Sequence, residues 1–172
     1  MVARPFLWLN RLYCDDYKMI QIEEIAILRP LAAGSVAVLC TIFIHAFAIG
    51  ATVRYFRYER EHGRTRAGIF VDFPILVLTT AFGFVAHLIE ITLWAVLFQV
   101  CGEFNDFAGA FYHSAVNYST LGYGDVIMSP SWKLLGPLEA ADGALMFGVS
   151  TAMIFSVIQR LILSRFADLR SQ

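Results

Sequence analysis

The chain has 172 residues, of which 58% are hydrophobic and 16% are charged, and its mean hydropathy is +0.63. A soluble globular domain averages about 25% charged residues, so this composition indicates a membrane protein. The net charge of −1 argues against nucleic acid as a partner, and the cysteines form no CxxC pair that would predict a zinc site or a disulfide framework.

Residues 1–30 form an N-terminal segment in which basic and acidic side chains nearly balance. The stretch RPFLWLNRLY near its start is compatible with an interfacial helix and equally with a partly disordered segment. No second domain, internal repeat or low-complexity segment is evident along the chain.

Three apolar stretches follow, at residues 31–53, at about 73–101 and at about 138–163. Each reaches or exceeds the roughly 20 residues that an α-helix needs to cross about 30 Å of hydrocarbon. The sequence therefore predicts an all-α membrane protein with three transmembrane helices, embedded in the lipid bilayer of the cell (inner) membrane.

The distribution of Lys and Arg predicts the orientation, because cytoplasmic loops are rich in both residues. Arginines cluster after the first and the third spans, at Arg54, Arg57, Arg60, Arg64 and Arg66, and at Arg160, Arg165 and Arg170. Only Lys133 lies between the second and third spans. The Arg-rich loop and the C-terminus are therefore expected in the cytoplasm and the N-terminus on the extracellular or periplasmic side, although basic residues within 1–30 oppose this orientation.

Residues 106–119, DFAGAFYHSAVNYS, are predicted to form a short helix between the second and third spans. At 1.5 Å per residue this helix measures about 21 Å, which is enough to enter a membrane but not to cross it. The chain must then turn back. Non-helical backbone is tolerated at membrane depth only where protein buries it or where it lines a water-filled path. The loop that follows, TLGYGD, is therefore expected to line such a path.

Two glycines determine what this loop can do. Gly122 and Gly124 allow the backbone to alternate between left- and right-handed conformations, since glycine accepts positive φ at little steric cost. This alternation turns successive carbonyl oxygens to one side, where they can replace the hydration shell of a cation, and directs Leu121 and Tyr123 outward. The Thr120 hydroxyl lies at the inner end. One strand cannot surround an ion, so about four chains must meet on an axis.

The hexapeptide TLGYGD at residues 120–125 resembles the selectivity filter of the tetrameric potassium-channel superfamily, which usually reads TVGYGD. In outline the chain also resembles the small bacterial ion-channel proteins of that superfamily, which carry an extra helix before the pore. The resemblance covers the second span, the re-entrant pore helix, the filter and the third span. It implies a homotetrameric channel that conducts K+ passively.

The resemblance also implies that K+ is the permeant ion and that no cofactor is needed. It places K+ at Thr120, Leu121, Gly122 and Tyr123, with Gly124 completing the filter. Leu121 stands where the family usually has valine, so a weakly selective monovalent cation channel is an alternative. A non-conducting membrane subunit is an alternative of another class. An enzyme is not expected, because the sequence lacks HExxH, GxSxG and phosphate-loop motifs.

These features divide the chain into four parts. They are the N-terminal segment (1–30), an extra transmembrane helix with a basic cytoplasmic loop (31–66), the pore domain (67–164) and a short cytoplasmic tail (165–172).

Ser119, Asp125, His113 and Glu90 are predicted to support the filter. Many relatives have, near the position of His113, a tryptophan bonded to the acid that follows the last glycine. His113 is therefore expected either to donate to Asp125 or to lie wedged among the aromatic residues of the pore helix. Val116 occupies the position at which some relatives have a glutamate that braces the filter.

Glu90 lies inside the second span, where a carboxylate is costly enough to need a reason. Counted from Phe73, it lies about 25 Å along the helix, level with the pore helix. It is therefore expected to hydrogen-bond the back of the filter near residues 117–119. The alternative is a protonated Glu90 paired with His87, one turn earlier.

His87 and Glu90 also have the i, i+3 spacing of metal ligands. Because a site needs three or four ligands and the sequence has no second such pair, no metal site is predicted. His45, in the first span, is expected to bond Thr79 or Thr80 of the second span. Five acidic residues lie near the predicted outer side of the membrane. They are expected to form a vestibule that attracts cations, or only to keep an exposed loop in contact with water: Glu103, Asp106, Asp125, Glu139 and Asp142.

The third span is predicted to be the inner, pore-lining helix. Gly148 lies about where the family has a hinge glycine, with Gly143 as a competing candidate and close helix packing as the alternative explanation. Gly148, Thr151, Phe155 and Ile158 share one helix face. Phe155 and Ile158 are expected to form any hydrophobic constriction at the cytoplasmic end.

Overall fold

The computed structural model describes residues 27–61 and 69–170 and contains four α-helices within them. In chain order they are α1, α2, α3 and α4: Leu28–Glu61, Ile69–Val100, Phe107–Tyr118 and Leu135–Arg170. These described residues form no strand, which confirms the predicted all-α class. The predictions for the N-terminal segment and for the end of the basic loop concern residues 1–26 and 62–66, which lie outside the described residues.

Three of these helices are long and apolar enough to cross a membrane: Leu28–Tyr58, Phe73–Val100 and Leu135–Leu163. They confirm the predicted spans, and the chain is a multi-pass membrane protein. α1 and α4 extend beyond the apolar stretches, because arginine is a good helix former and no glycine or proline interrupts residues 51–62 or 149–172. Residues 165–170 of the predicted tail therefore continue α4.

The short helix α3 is held between α2 and α4, which also contact each other, and α1 packs against α2 and α4. Large side chains fill the space where these helices meet. Trp94 and Phe98 of α2, Tyr118 of α3 and Leu135 of α4 are all fully buried. Ser119, which follows α3, is half-buried, and the chain is exposed from Thr120 to Ile127.

Gly143 of α4 lies directly against the end of α3. A Cβ atom built at this position would lie 2.0 Å from the carbonyl oxygen of Tyr118, which is far inside van der Waals contact. The end of α3 therefore rests directly on the backbone of α4. Gly148, in contrast, has no atom within 4 Å of such a Cβ.

We expect Gly143→Ala to lower the free energy of unfolding by about 1–3 kcal/mol or more, because the added methyl group overpacks the contact with Tyr118. Gly50 of α1 is the matched control, since its Cβ would meet nothing within 4 Å. Gly50→Ala should leave stability unchanged or raise it by about 0.5–1 kcal/mol through helix propensity. Unfolding of both variants in detergent, monitored by heat or denaturant, tests this. Equal losses would contradict it.

Candidate functional site

α3 is capped at both ends by residues that the sequence had placed within the helix. Asp106 is the N-cap, and its carboxylate accepts a hydrogen bond from the Gly109 N–H at 2.8 Å. Ser119 is the C-cap, and its hydroxyl donates to the Ala115 carbonyl at 2.6 Å. The helix itself has 12 residues and is therefore about 18 Å long, too short to cross a membrane.

The loop after α3 has positive φ at every second residue. The values are 62° at Thr120, 56° at Gly122 and 71° at Gly124. The alternation expected of the two glycines is thus present, and it extends to Thr120. Positive φ at a β-branched residue is rare and strained, so something in the surroundings must hold Thr120 in this conformation.

Backbone N–H groups at the start of the loop point back to α3. Thr120 donates to the Asn117 carbonyl at 2.8 Å, and Leu121 and Gly122 both donate to the Val116 carbonyl, at 3.0 and 3.2 Å. The described chain has no cis peptide bond, and in a trans peptide the C=O group points opposite to the N–H group. The Thr120 carbonyl shares a peptide plane with the Leu121 N–H, and the Leu121 carbonyl shares one with the Gly122 N–H. Both carbonyls are therefore directed away from α3.

Asp125, at the far end of the loop, is held by Tyr112. The Tyr112 hydroxyl donates to Asp125 Oδ2 at 2.7 Å, and the Val126 N–H donates to Oδ1 at 3.1 Å. The hydrogen bond to Asp125 raises the pKa of the Tyr112 phenol, because it favours the protonated form. The sequence had not singled out Tyr112, although it adjoins His113.

His113 does not bond Asp125, so that expectation is wrong. It does lie among aromatic rings, as its alternative held, but these rings belong to α2 and to the loop before α3 rather than to the pore helix. The Asn117 side chain donates to His113 Nε2 at 2.9 Å, and the imidazole lies 5.4 and 5.1 Å from the rings of Phe98 and Phe104. Burial lowers the pKa of His113, which fits a neutral ring that accepts this bond. Adjacent residues point about 100° apart on a helix, and only residue 112 is turned toward Asp125.

A closed ring of buried polar side chains connects all four helices. Glu90 Oε1 lies 2.9 Å from His45 Nδ1, and Glu90 Oε2 accepts a hydrogen bond from the Tyr118 hydroxyl. His87 Nδ1 lies 3.0 Å from the same hydroxyl. Nε2 of His45 and Nε2 of His87 lie 2.9 and 3.0 Å from Ser150 Oγ, which closes the ring. We call these five residues the polar ring.

The polar ring gives Glu90 both of its predicted partners. Glu90 bonds Tyr118, within the predicted stretch 117–119, and its Oε2 also lies 3.4 Å from His87 Nδ1. The predicted partner of His45 is wrong, because the Glu90 carboxylate is a stronger acceptor than a hydroxyl. Thr79 Oγ1 has no hydrogen-bond partner among the described residues. The reason for discounting a metal site is wrong too, since His45 brings a third possible ligand atom within 4.8 Å of those of His87 and Glu90.

Residues 74–160 match a family described as ion channel, and this stretch is just over half of the chain. The chain belongs to the ion channel family. The match includes most of α2, the whole of α3, the loop and α4 as far as Arg160, whereas α1 lies outside it. No curated protein and no solved structure matches the chain.

Two of the acids expected in an outer vestibule are instead buried inside the channel. Asp142 is 1% exposed and accepts hydrogen bonds from Thr41 Oγ1 and Trp94 Nε1, each at 2.9 Å. Glu139 is fully buried and accepts from Ser114 Oγ at 2.5 Å. Residues three apart share a helix face, and this face of α4 is turned toward the other helices rather than toward water.

The predicted hinge and gate residues lie on another face of α4. Gly148, Thr151 and Phe155 are exposed, and Ile158 is half-buried. Within the described part of the chain no neighbour packs on Gly148, so intrachain packing does not explain this glycine. The exposed face is available to line a pore or to contact another copy of the channel.

We expect Tyr112→Phe to loosen the outer end of the loop, because it removes the hydroxyl that holds Asp125 and keeps the ring. Amide exchange at Val126, whose N–H donates to Asp125, should become roughly two- to fivefold faster, the effect of losing about 1 kcal/mol. Hydrogen–deuterium exchange with mass spectrometry measures this. His113→Gln is the control and should leave Val126 unchanged. If amide exchange at Val126 became faster only in His113→Gln, Asp125 would be held by His113, as the sequence predicted.

Proposed function

We propose that this channel is a homotetramer that conducts K+ passively, with residues 120–124 forming its selectivity filter. The observation that carries the proposal is the alternating backbone of the loop, with positive φ at Thr120, Gly122 and Gly124. Strained backbone conformations persist where the surrounding structure enforces them, and they cluster at functional sites. Here the strain turns successive carbonyl groups to one side.

The hydrogen bonds of the loop support an ion-binding role. The N–H groups of Leu121 and Gly122 are used on Val116, while the carbonyls of Thr120 and Leu121 point away from α3. A carbonyl group left unpaired at membrane depth is costly, and a cation stripped of its water satisfies it. In this proposal K+ binds the carbonyls of Thr120, Leu121, Gly122 and Tyr123, with the Thr120 hydroxyl at the inner end.

Exposed apolar side chains support the proposed tetramer. Leu121 is 60% exposed and Tyr123 is 66% exposed in a single chain, beside a backbone that must contact water and ions. A cavity of about 300 Å³ also lies between the loop, α3 and α4, and it is lined in part by His113, Asn117 and Pro137. About four copies around an axis would cover these side chains and bring four carbonyl ladders together.

The residues around the filter fit supporting roles in this proposal. Asp125 is tied to Tyr112 at the outer end, and Ser119 is tied to the last turn of α3 at the inner end. Glu90 supports the back of the filter through its hydrogen bond with Tyr118. It takes the role of the glutamate that some relatives have at the position of Val116. His113 supports α3 by packing rather than by bonding Asp125.

We further propose that the exposed face of α4 lines the inner pore. Gly148 serves as a hinge, Thr151 lies on the pore face, and Phe155 and Ile158 form the cytoplasmic constriction. The cell (inner) membrane is the proposed location. Arginines at the ends of the first and third spans support a cytoplasmic C-terminus and an N-terminus on the opposite side.

Leu121 favours a second candidate, a weakly selective monovalent cation channel. The leucine side chain is longer than the valine that usually stands in this filter, and it must pack differently behind the carbonyls. A filter that holds its carbonyls less firmly discriminates less well between K+ and Na+. Passive conduction is common to both candidates, and only the ion preference differs.

Ion flux into liposomes that contain the purified tetramer tests the proposal. We expect K+ permeability well above Na+ permeability, measured as reversal potential in mixed salts. Gly122→Ala should reduce K+ flux by at least about tenfold, since alanine at positive φ costs about 1–2 kcal/mol in every copy. Gly50→Ala should conduct normally.

Equal K+ and Na+ permeability would favour the weakly selective channel, and Leu121→Val should then raise the preference for K+. A folded tetramer that passes neither ion would overturn the proposal.

We expect Glu90→Gln to change K+ flux or the K+/Na+ permeability ratio by roughly fivefold, because a neutral amide accepts the Tyr118 hydrogen bond more weakly by about 1 kcal/mol. Thr92→Val is the control on the same helix, since the Thr92 hydroxyl bonds only the Leu88 carbonyl of α2. Both variants are measured in the same liposome assay. Identical conductance, selectivity and inactivation in wild type and Glu90→Gln would show that Glu90 does not brace the filter.

A further inference from the structure

Three members of the polar ring have the chemistry of metal ligands. The ligand atoms of His45, His87 and Glu90 all lie within 4.8 Å of one another, and all three side chains are buried. The two imidazole rings lie side by side, with centroids 5.1 Å apart. None of the three belongs to the loop at residues 120–124, and conduction does not require them to hold an ion.

The two histidines present the same nitrogen to the carboxylate. His45 Nδ1 lies 2.9 Å from Glu90 Oε1, and His87 Nδ1 lies 3.4 Å from Glu90 Oε2. Ligands of a tetrahedral zinc ion, at about 2.0–2.1 Å from the metal, are separated from one another by about 3.4 Å. To admit a metal ion, the shorter contact must therefore open by about half an ångström, and the three ligand atoms already lie within 4.8 Å of one another.

The opposite nitrogens meet a single hydroxyl group. Nε2 of His45 and Nε2 of His87 lie 2.9 and 3.0 Å from Ser150 Oγ, and a hydroxyl oxygen can accept two hydrogen bonds. When both Nε2–H groups donate to Ser150, both Nδ1 lone pairs face Glu90. Metal-binding histidines commonly donate their second N–H group to such an outer partner, which fixes the tautomer.

In this arrangement three acceptors converge without a positive charge between them. The Glu90 carboxylate is fully buried within α2, where an uncompensated charge is expensive. The Tyr118 hydroxyl serves only one of its two oxygens. A cation between His45 Nδ1, His87 Nδ1 and Glu90 would satisfy all three acceptors at once.

We propose that His45, His87 and Glu90 form a binding site for one Zn2+ ion in each chain. Two neutral imidazoles and one carboxylate are a known zinc ligand set, whereas Ca2+ and Mg2+ prefer sites made of oxygen alone. The Tyr118 hydroxyl, which donates to Glu90, adjoins these three ligands. Because the ligands come from α1 and α2, the ion ties the extra helix to the pore-forming part of the channel.

Zinc binding to the untagged tetramer in detergent, stripped of metal beforehand, tests the proposal without any flux measurement. We expect one tightly held Zn2+ per chain by elemental analysis, and a higher thermal unfolding temperature, because the ion binds the folded state. His45→Gln and His87→Gln should each weaken binding by at least about 100-fold, and Ser150→Ala by roughly tenfold, in competition with a chelating dye.

His113→Gln is the matched control, since His113 is another buried imidazole but bonds Asn117 rather than a carboxylate. This variant should bind Zn2+ like the wild type. If it loses as much Zn2+ as His45→Gln does, or if the wild type holds no stoichiometric Zn2+, the proposed site is wrong.

A measurement on the wild type alone covers the case in which the histidine variants fail to fold. Co2+ added in place of Zn2+ should give the strong visible absorption of four-coordinate nitrogen and oxygen ligation, and one equivalent of Zn2+ per chain should abolish it. Weak, octahedral-type absorption would overturn the proposal. A channel that binds Zn2+ but passes no K+ would uphold the site and refute the proposed conduction.

Discussion

Satisfying backbone carbonyl groups inside a membrane is the constraint on which the rest of the structure depends. After α3, the N–H groups of Leu121 and Gly122 both donate to the Val116 carbonyl. This leaves the carbonyls of Thr120 and Leu121 facing away from α3, and the surrounding helices supply no backbone donors for them, since their own N–H groups are used within each helix. At membrane depth, a loop of this kind would be stable only beside water, ions or further copies of itself.

Tyr118 links this loop to the helices around it. Its carbonyl oxygen lies where a side chain at Gly143 would be, and its hydroxyl donates to Glu90. Thr120 follows only two residues later. A shift of α4 at Gly143, or of α1 through His45, therefore reaches the strained end of the loop through one aromatic residue. The short helix thus connects the helices around it to the loop that we propose as the filter.

The sequence predicted the spans and α3 because those features depend on length, hydropathy and local capping, all of which are encoded in short stretches. Apart from the partners of Glu90, it did not predict which residues face one another. α2 is apolar on nearly all sides, so no hydrophobic periodicity distinguishes its lipid-facing side from its buried side. The pairing of His45 with Glu90 depends on the rotation of two helices about their axes. Whether Tyr112 or His113 bonds Asp125 depends on the rotation of about 100° between adjacent residues of a helix.

The hydrogen bonds from Thr41 and Trp94 to Asp142 limit the exchange of α1 between this channel and others. A pore unit cut free of α1 would expose Asp142 to acyl chains with one of its donors missing, and Glu90 would lose His45 in the same operation. α1 is therefore not an exchangeable accessory. A chimera that joins α2, α3 and α4 to a different helix in place of α1 must also replace both carboxylates with apolar residues, or supply matching donors.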